Sequence, residues 1–231
     1  MELELGTGIG RRTKDFLYSV YGWMGIGLAI TAGAAYATYS YEPLFTLIFS
    51  YTWVPFLLFM AQLALVIVLS FFILQLSFVT AAGCFILYSI LNGLTLASLF
   101  YVYVAASLTT TFFITAGMFS LMGLYGYYSK ADLGTMGNIL RMGLIGLLLA
   151  LVVNLWFRNP LIELVLSAVG VVIFCLLTAY DVQTIKRFAQ SVVFEEGDSI
   201  NKVAVIGALI LYLDFINMFL FLLRFTGQRR K

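Results

Sequence analysis

Residues 206–225 read IGALILYLDFINMFLFLLRF, an apolar run with a single acid, Asp214, near its middle. A helix that spans a bilayer needs about 20 such residues. The segment is therefore read as a transmembrane helix and Asp214 as a carboxyl group at membrane depth. An acid there costs several kcal/mol, so it faces a cavity or a polar partner and marks an ion or proton path. Lys202 precedes it by 12 residues, which at 1.5 Å per residue is about 18 Å of helix and puts Asp214 near the bilayer centre. A second acid, Asp181, closes the preceding apolar run in LLTAYDVQTIKR, residues 176–187. Counted from Lys186 it is only about 8 Å deep. By spacing alone the two acids need not touch, and Asp181 is equally readable as an interfacial acid paired with Lys186.

Working outward, the whole chain has the same character. It has 231 residues, 62% hydrophobic and 10% charged, with a mean hydropathy of +1.02. Soluble domains are about 45–50% apolar and about 25% charged. The reading is an all-α integral membrane protein. Seven runs are long enough to span, at residues 16–37, 54–76, 78–104, 110–128, 139–157, 161–181 and 203–225. Residues 1–15 read as an N-terminal tail, 16–227 as one seven-helix membrane domain and 228–231 as a basic tail. The first apolar run is long and lacks a small-residue cleavage site, so it reads as a retained helix rather than a signal peptide. Small residues four apart (Gly25, Ala29 and Gly33, then Ser89, Gly93 and Ala97) allow helices to approach closely. Tyr and Trp near the ends of the runs suit an interfacial belt.

Lys and Arg placement sets the orientation. Arg11, Arg12, Lys14, Lys130, Arg141, Lys186, Arg187 and Lys202 fall on one side, and Arg158, Arg224, Arg229, Arg230 and Lys231 on the other. The balance of 8 to 5 favours a cytoplasmic N-terminus.

Composition also excludes. A net charge of +2 and no basic stripe leave no case for nucleic acid. Histidine is absent, which removes the usual Ser-His triad and the ordinary near-neutral proton switch. Cys84 and Cys175 lie in apolar runs and read as small buried hydrophobes. Gly6, Gly8 and Gly10 form GTGIG, but no strand precedes them, so a phosphate loop fails on context and a flexible tail is expected. Glu163 suits the first turn of a helix. Asp132, beside Lys130, and the group Glu195, Glu196 and Asp198 read as solvated loop acids. Tyr180–Asp181 and a later Asp214 echo an intramembrane aspartyl protease, but LYLD lacks the glycines of its second motif, so a non-enzyme is expected.

If Asp181 and Asp214 meet, they cannot both ionise cheaply in a dry site, and they titrate as a unit. A shared proton bridges their helices. Its loss leaves paired negative charge that attracts a hard cation such as calcium, whose ligands are carboxylate and carbonyl oxygens.

At this point the sequence resembles a known family. ALILYLDFINMFLFLLRFTG (208–227) closely resembles the C-terminal signature of the Bax inhibitor-1 family. LTAYDVQTIK (177–186), LNGLTLASLF (91–100), TFFITAGMF (111–119) and YGYYSKADLGTMG (125–137) are similar to other family segments, in order. The resemblance implies a seven-helix bundle with a central last helix, in the bacterial inner membrane. It implies a pH-sensitive calcium leak whose sensor acids, and calcium ligands, are Asp181 and Asp214. It also implies a latch on the second helix, where this chain departs. No basic residue stands in LSFFILQLS (69–77); Phe72 or Ile73 falls at the arginine position, and Gln62 replaces an earlier acid. No cofactor is expected beyond calcium. The expected partners are the lipid bilayer and calcium or protons. The alternative is a non-conducting membrane regulator of a membrane-bound quality-control protease.

Overall fold

The computed structural model describes residues 2–73, 75–192 and 198–230, with the backbone alone at 2–11, 191–192 and 198–199. Its elements are helices. α1 spans Glu2–Ser40, α2 Glu42–Phe49, α3 Trp53–Phe72, α4 Phe78–Leu96, α5 Leu99–Val102, α6 Ala105–Tyr128, α7 Gly134–Phe157, α8 Pro160–Val192 and α9 Asp198–Thr226. Seven segments are long and apolar enough to cross a membrane: Arg12–Ser40, Trp53–Phe72, Phe78–Val102, Ala105–Tyr128, Gly134–Phe157, Pro160–Gln190 and Ile200–Thr226. The last is the most enclosed, with 67% of its window buried, against 6% for Trp53–Phe72.

The expected number of spans holds, and several boundaries move. α1 begins at Glu2, so Gly6, Gly8 and Gly10 lie within a helix and not in a tail. Glu and Leu are good helix formers, no proline interrupts the run, and a helical glycine costs only about 1 kcal/mol relative to alanine. α2 is a separate short helix, opened by Pro43 in its first turn and closed at Ser50. α8 continues from Asp181 to Val192. Hydrophobicity ends where lipid ends, but a helix ends where its backbone pairing ends. Gln183, Thr184, Lys186 and Arg187 all continue the pairing.

The tight turns are written locally. Ser77 caps α4, its Oγ accepting from the Thr80 N–H at 3.1 Å. Asn159 caps α8, its Oδ1 accepting from Leu161 N at 2.9 Å, and Pro160 takes the first helical position, where no N–H is needed.

The chain divides into two compact units. The first is Met1–Val102 with Phe188–Tyr212, the second Tyr103–Arg187 with Leu213–Lys231. In the first, α1 buries Leu17, Val20, Met24, Thr31, Ala35 and Thr38, a stripe along one helix face. Gly27 lies on this stripe, and a Cβ there would collide with the Phe85 ring. Gly93 meets the Thr31 carbonyl oxygen in the same way. The close approach expected at Gly25 and Gly33 is not made, since both face open space. Four-residue spacing alone does not say which side of a helix meets its neighbour.

At the centre of this unit the fully buried Tyr212 lies 2.6 Å from Thr31 Oγ1 and accepts from Asn92 Nδ2 at 2.8 Å. Thr31 donates to the Ser89 carbonyl at 2.9 Å, so the Tyr212 hydroxyl donates to Thr31. The rings of Phe85 and Tyr88 meet Tyr212 edge-on.

In the second unit α6 and α8 approach at Gly126, where a Cβ would overlap the Ala179 carbonyl. Gly170 accommodates the Phe221 ring. Phe112 and Phe119 pack edge-on against Phe215. At one end, Val104 N–H donates to the Gln228 carbonyl at 3.1 Å and Gln228 N–H to Ser107 Oγ at 3.0 Å.

Candidate functional site

Asp181 on α8 and Asp214 on α9 belong to the second unit, and their carboxyl groups lie within hydrogen-bonding reach of one another. The gap left by spacing alone is closed. The count from Lys186 made Asp181 shallow because it took Lys186 as the membrane boundary, whereas α8 continues about three turns past Asp181. Nor does Lys186 pair with Asp181. Its ammonium donates to the Tyr127 carbonyl at 2.7 Å and sits 4.4 Å from the Tyr127 ring centroid.

An ionised carboxylate only accepts hydrogen bonds, so a bond between two carboxyl groups requires one proton between them. Asp214 is 5% exposed, and its second oxygen, Oδ2, has no hydrogen-bond partner among the described residues. Two carboxyl groups so placed are able to share one proton.

The segment 179–181 is held from three sides. Ala179 takes the backbone of α6 at Gly126. Asp181 takes Asp214. Tyr180 lies against α7, where Gly137 leaves room for its ring and Arg141, one turn on, donates from Nη2 to the Tyr180 hydroxyl at 3.1 Å. The Arg141 guanidinium carbon is 5.5 Å from the Tyr180 ring centroid, and the group is within electrostatic range of Asp181. Sequence reading used Arg141 only for orientation. The available signal was its position as the one charge in the apolar run of α7.

A strap joins the α6–α7 loop, which lies between two spans, to α8. Gln183 accepts from Leu133 N–H at 3.0 Å and donates to the Ala131 carbonyl at 2.9 Å. Asp132 accepts from Gly134 N–H at 2.9 Å and pairs with Arg187 at 2.8 Å. Asp132 is a solvated loop acid, as expected, and is also paired with Arg187. The Gly134 N–H, and then Arg187, hold its carboxyl below the usual range. Glu163 sits in the first turn of α8, as expected, and lies 3.5 Å from Arg229.

Gln62, Phe72 and Ile73 lie in the first unit. Gln62 Nε2 donates to the Leu91 carbonyl at 3.2 Å, so it joins α3 to α4. Phe72 is half-exposed and Ile73 is buried. Glu195 and Glu196 lie outside the described residues, and Asp198 is described by its backbone alone. Cys84 and Cys175 are free thiols, with Cys175 Sγ 3.9 Å from Met218 Sδ.

Residues 13–231 match the family model described as "Inhibitor of apoptosis-promoting Bax1". The chain belongs to the Bax inhibitor-1 family. The match runs from within α1 to the C-terminus and includes Asp181, Asp214 and Arg141. Among similar proteins is the inner membrane protein YbhL of Escherichia coli, 46% identical over 217 residues, 94% of this chain and 93% of that protein. A Borreliella burgdorferi protein is 45% identical over 217 residues, 94% of this chain and 93% of its own. One from Deinococcus radiodurans is 41% identical over 218 residues, 94% and 92% of the two chains.

Proposed function

We propose that this protein is a proton-controlled calcium leak of a bacterial inner membrane, gated by the Asp181–Asp214 pair, with its N-terminus in the cytoplasm. The observation that carries the reading is the approach of two carboxyl groups on neighbouring membrane helices to within hydrogen-bonding reach, with one buried oxygen left unpaired among the described residues. A proton between them joins α8 to α9. Its loss sets two negative charges side by side, which repel and together attract a hard cation. Calcium takes six to eight oxygen ligands when held tightly. The pair offers at most four, and no group of three or more metal-ligating acids, cysteines or histidines occurs among the described residues. A site so sparse suits a cation in transit and not one in storage. The likeness to an E. coli inner membrane protein supports the location.

Calcium entry into proteoliposomes, followed across pH, tests the reading. Asp214→Asn keeps size and one oxygen but removes ionisation, so its flux should lose its pH dependence while the protein stays folded. Asp181→Asn should do the same in part, since Asp181 is the more exposed of the two. Wild-type protein that passes no calcium at any pH overturns the leak and favours a non-conducting regulator of a membrane protease.

A further inference from the structure

α7 turns one stripe of its surface outward. Ile145, Leu148, Leu149 and Val152 on that stripe are each more than half exposed within an apolar span, so lipid tails cover them. Asn138, Arg141 and Met142 continue the stripe toward the N-terminal end of the helix, at steps of three and four residues, and all three are exposed. Arg141 is the one charge on α7. Among the described residues it forms no ion pair, with the nearby Asp181 or any other acid. It is nonetheless held. Nη2 donates to the Tyr180 hydroxyl at 3.1 Å, and the guanidinium carbon stands 5.5 Å from the Tyr180 ring centroid. The ring in turn fills the notch that Gly137 leaves on α7. A guanidinium has more N–H donors than this seat uses. A fixed positive fork with spare donors thus faces the lipid at the seam of α7 and α8.

Depth says what anion it meets. Arg141 stands about two turns after Gly134, about 10 Å along the axis. α7 has 24 residues, about 36 Å of helix, against a hydrocarbon core of about 30 Å. Its Cα is therefore about one turn inside the hydrocarbon edge. Helical side chains lean toward the N-terminus, which here is toward that edge, and a long basic side chain so placed snorkels to the interface. The anion at that level of a bilayer is the lipid phosphate. Lys130, exposed in the loop at the same end, adds a second positive charge, whereas Arg187 there is answered by Asp132. We propose that Arg141, on its Tyr180 seat, binds the phosphate of an anionic phospholipid in the leaflet on the side of the α6–α7 loop. The fork takes two phosphate oxygens side by side. Asn138, one turn nearer the loop, offers its amide to the headgroup, and the acyl chains lie along Met142, Ile145 and Leu149. Lys130 selects a headgroup with net negative charge over a zwitterionic one, whose own ammonium it repels. Basic residues between membrane helices hold anionic headgroups in this way. The site faces lipid and needs no ion flux, so it stands apart from the calcium reading.

Purified protein in a neutral detergent, given dioctanoyl phosphatidylglycerol and weighed intact by native mass spectrometry, tests the site. Wild type should hold phosphatidylglycerol more tightly than phosphatidylcholine of the same chain length. Arg141→Gln should weaken phosphatidylglycerol binding about fivefold, the worth of one basic residue at an anionic surface, and leave phosphatidylcholine binding as it was. Arg141→Lys keeps the charge without the fork and should fall between the two. Because Arg141 faces outward, Arg141→Gln without added lipid should melt as wild type, which separates loss of lipid from loss of fold. Equal binding of phosphatidylglycerol by wild type and Arg141→Gln overturns the proposal, as does a wild type that does not prefer phosphatidylglycerol. Glycerol 3-phosphate that displaces the lipid at equal concentration assigns the site to a free phosphate and overturns the lipid. Phosphatidylglycerol with a photoactivatable headgroup needs no variant. Crosslinks to wild type at residues 138–142 or at Tyr180 uphold the site, and crosslinks confined to other helices overturn it.

Discussion

One hydroxyl joins three helices of the first unit. Tyr212 Oη donates to Thr31 of α1 and accepts from Asn92 of α4, and all three side chains are buried. Tyr212→Phe keeps the ring contacts with Phe85 and Tyr88 but leaves the Asn92 amide without its acceptor. A buried donor left unpaired costs about 1–3 kcal/mol, so thermal unfolding in detergent should shift down by several degrees. A second residue-scale prediction concerns glycine. Gly126→Ala places a methyl group into the Ala179 carbonyl, which is backbone and cannot step aside. Overpacking of this kind costs about 1–3 kcal/mol, and here it also displaces the chain that carries Asp181. Gly117→Ala, on the same helix but facing open space, should melt as wild type. Equal melting temperatures for the two alanine variants would contradict the α6–α8 contact.

At the scale of elements, the α6–α7 loop matters because it is tied to the helix that carries Asp181. Asp132 caps the start of α7 and pairs with Arg187 of α8. Its carboxyl is held below the ordinary value by the Gly134 N–H and then by Arg187. A group whose folded value is depressed stabilises the fold above its unfolded value, near 4 for aspartate. That stability is lost as pH falls through the lower, folded value. The strap should therefore be unchanged between pH 8 and about 5 and loosen only below about 4. Hydrogen exchange of the Gly134 amide, corrected for intrinsic rate, measures this directly. Protection that falls between pH 8 and 6 would assign the near-neutral response to the loop and remove the need for the carboxyl pair.

For the whole molecule, seven crossings put the α6–α7 loop and the residues after α9 on opposite faces. A single cysteine at Lys130 and one at Thr184 should label from the same side, and one at Arg229 from the other, in a background with Cys84 and Cys175 replaced. Lys130 and Arg229 labelling from one side would show that one of the seven apolar helices does not cross. The two native thiols are only partly exposed and lie within apolar spans, so their removal should leave the fold intact.

Length and composition alone determined the membrane class, the seven apolar helices and the presence of an acid at depth in the last of them. These are local properties: about 20 apolar residues make a span whatever surrounds them, and Asp214 is flanked by Leu213 and Phe215 in the chain itself. The family was legible too, because its signature is a run of residue identities. What lay beyond local reading depends on which faces of helices meet. Gly27, not Gly25 or Gly33, takes the approach of α4. α8 runs on past Asp181 and brings that acid to Asp214. Arg141, read from sequence as a marker of orientation, lies on Tyr180 of α8. Each is a matter of helix azimuth and offset, fixed by packing between residues far apart in the chain, as the Arg141–Tyr180 separation of 39 illustrates. No periodicity within a single segment encodes such a distance, so tertiary structure alone decided it.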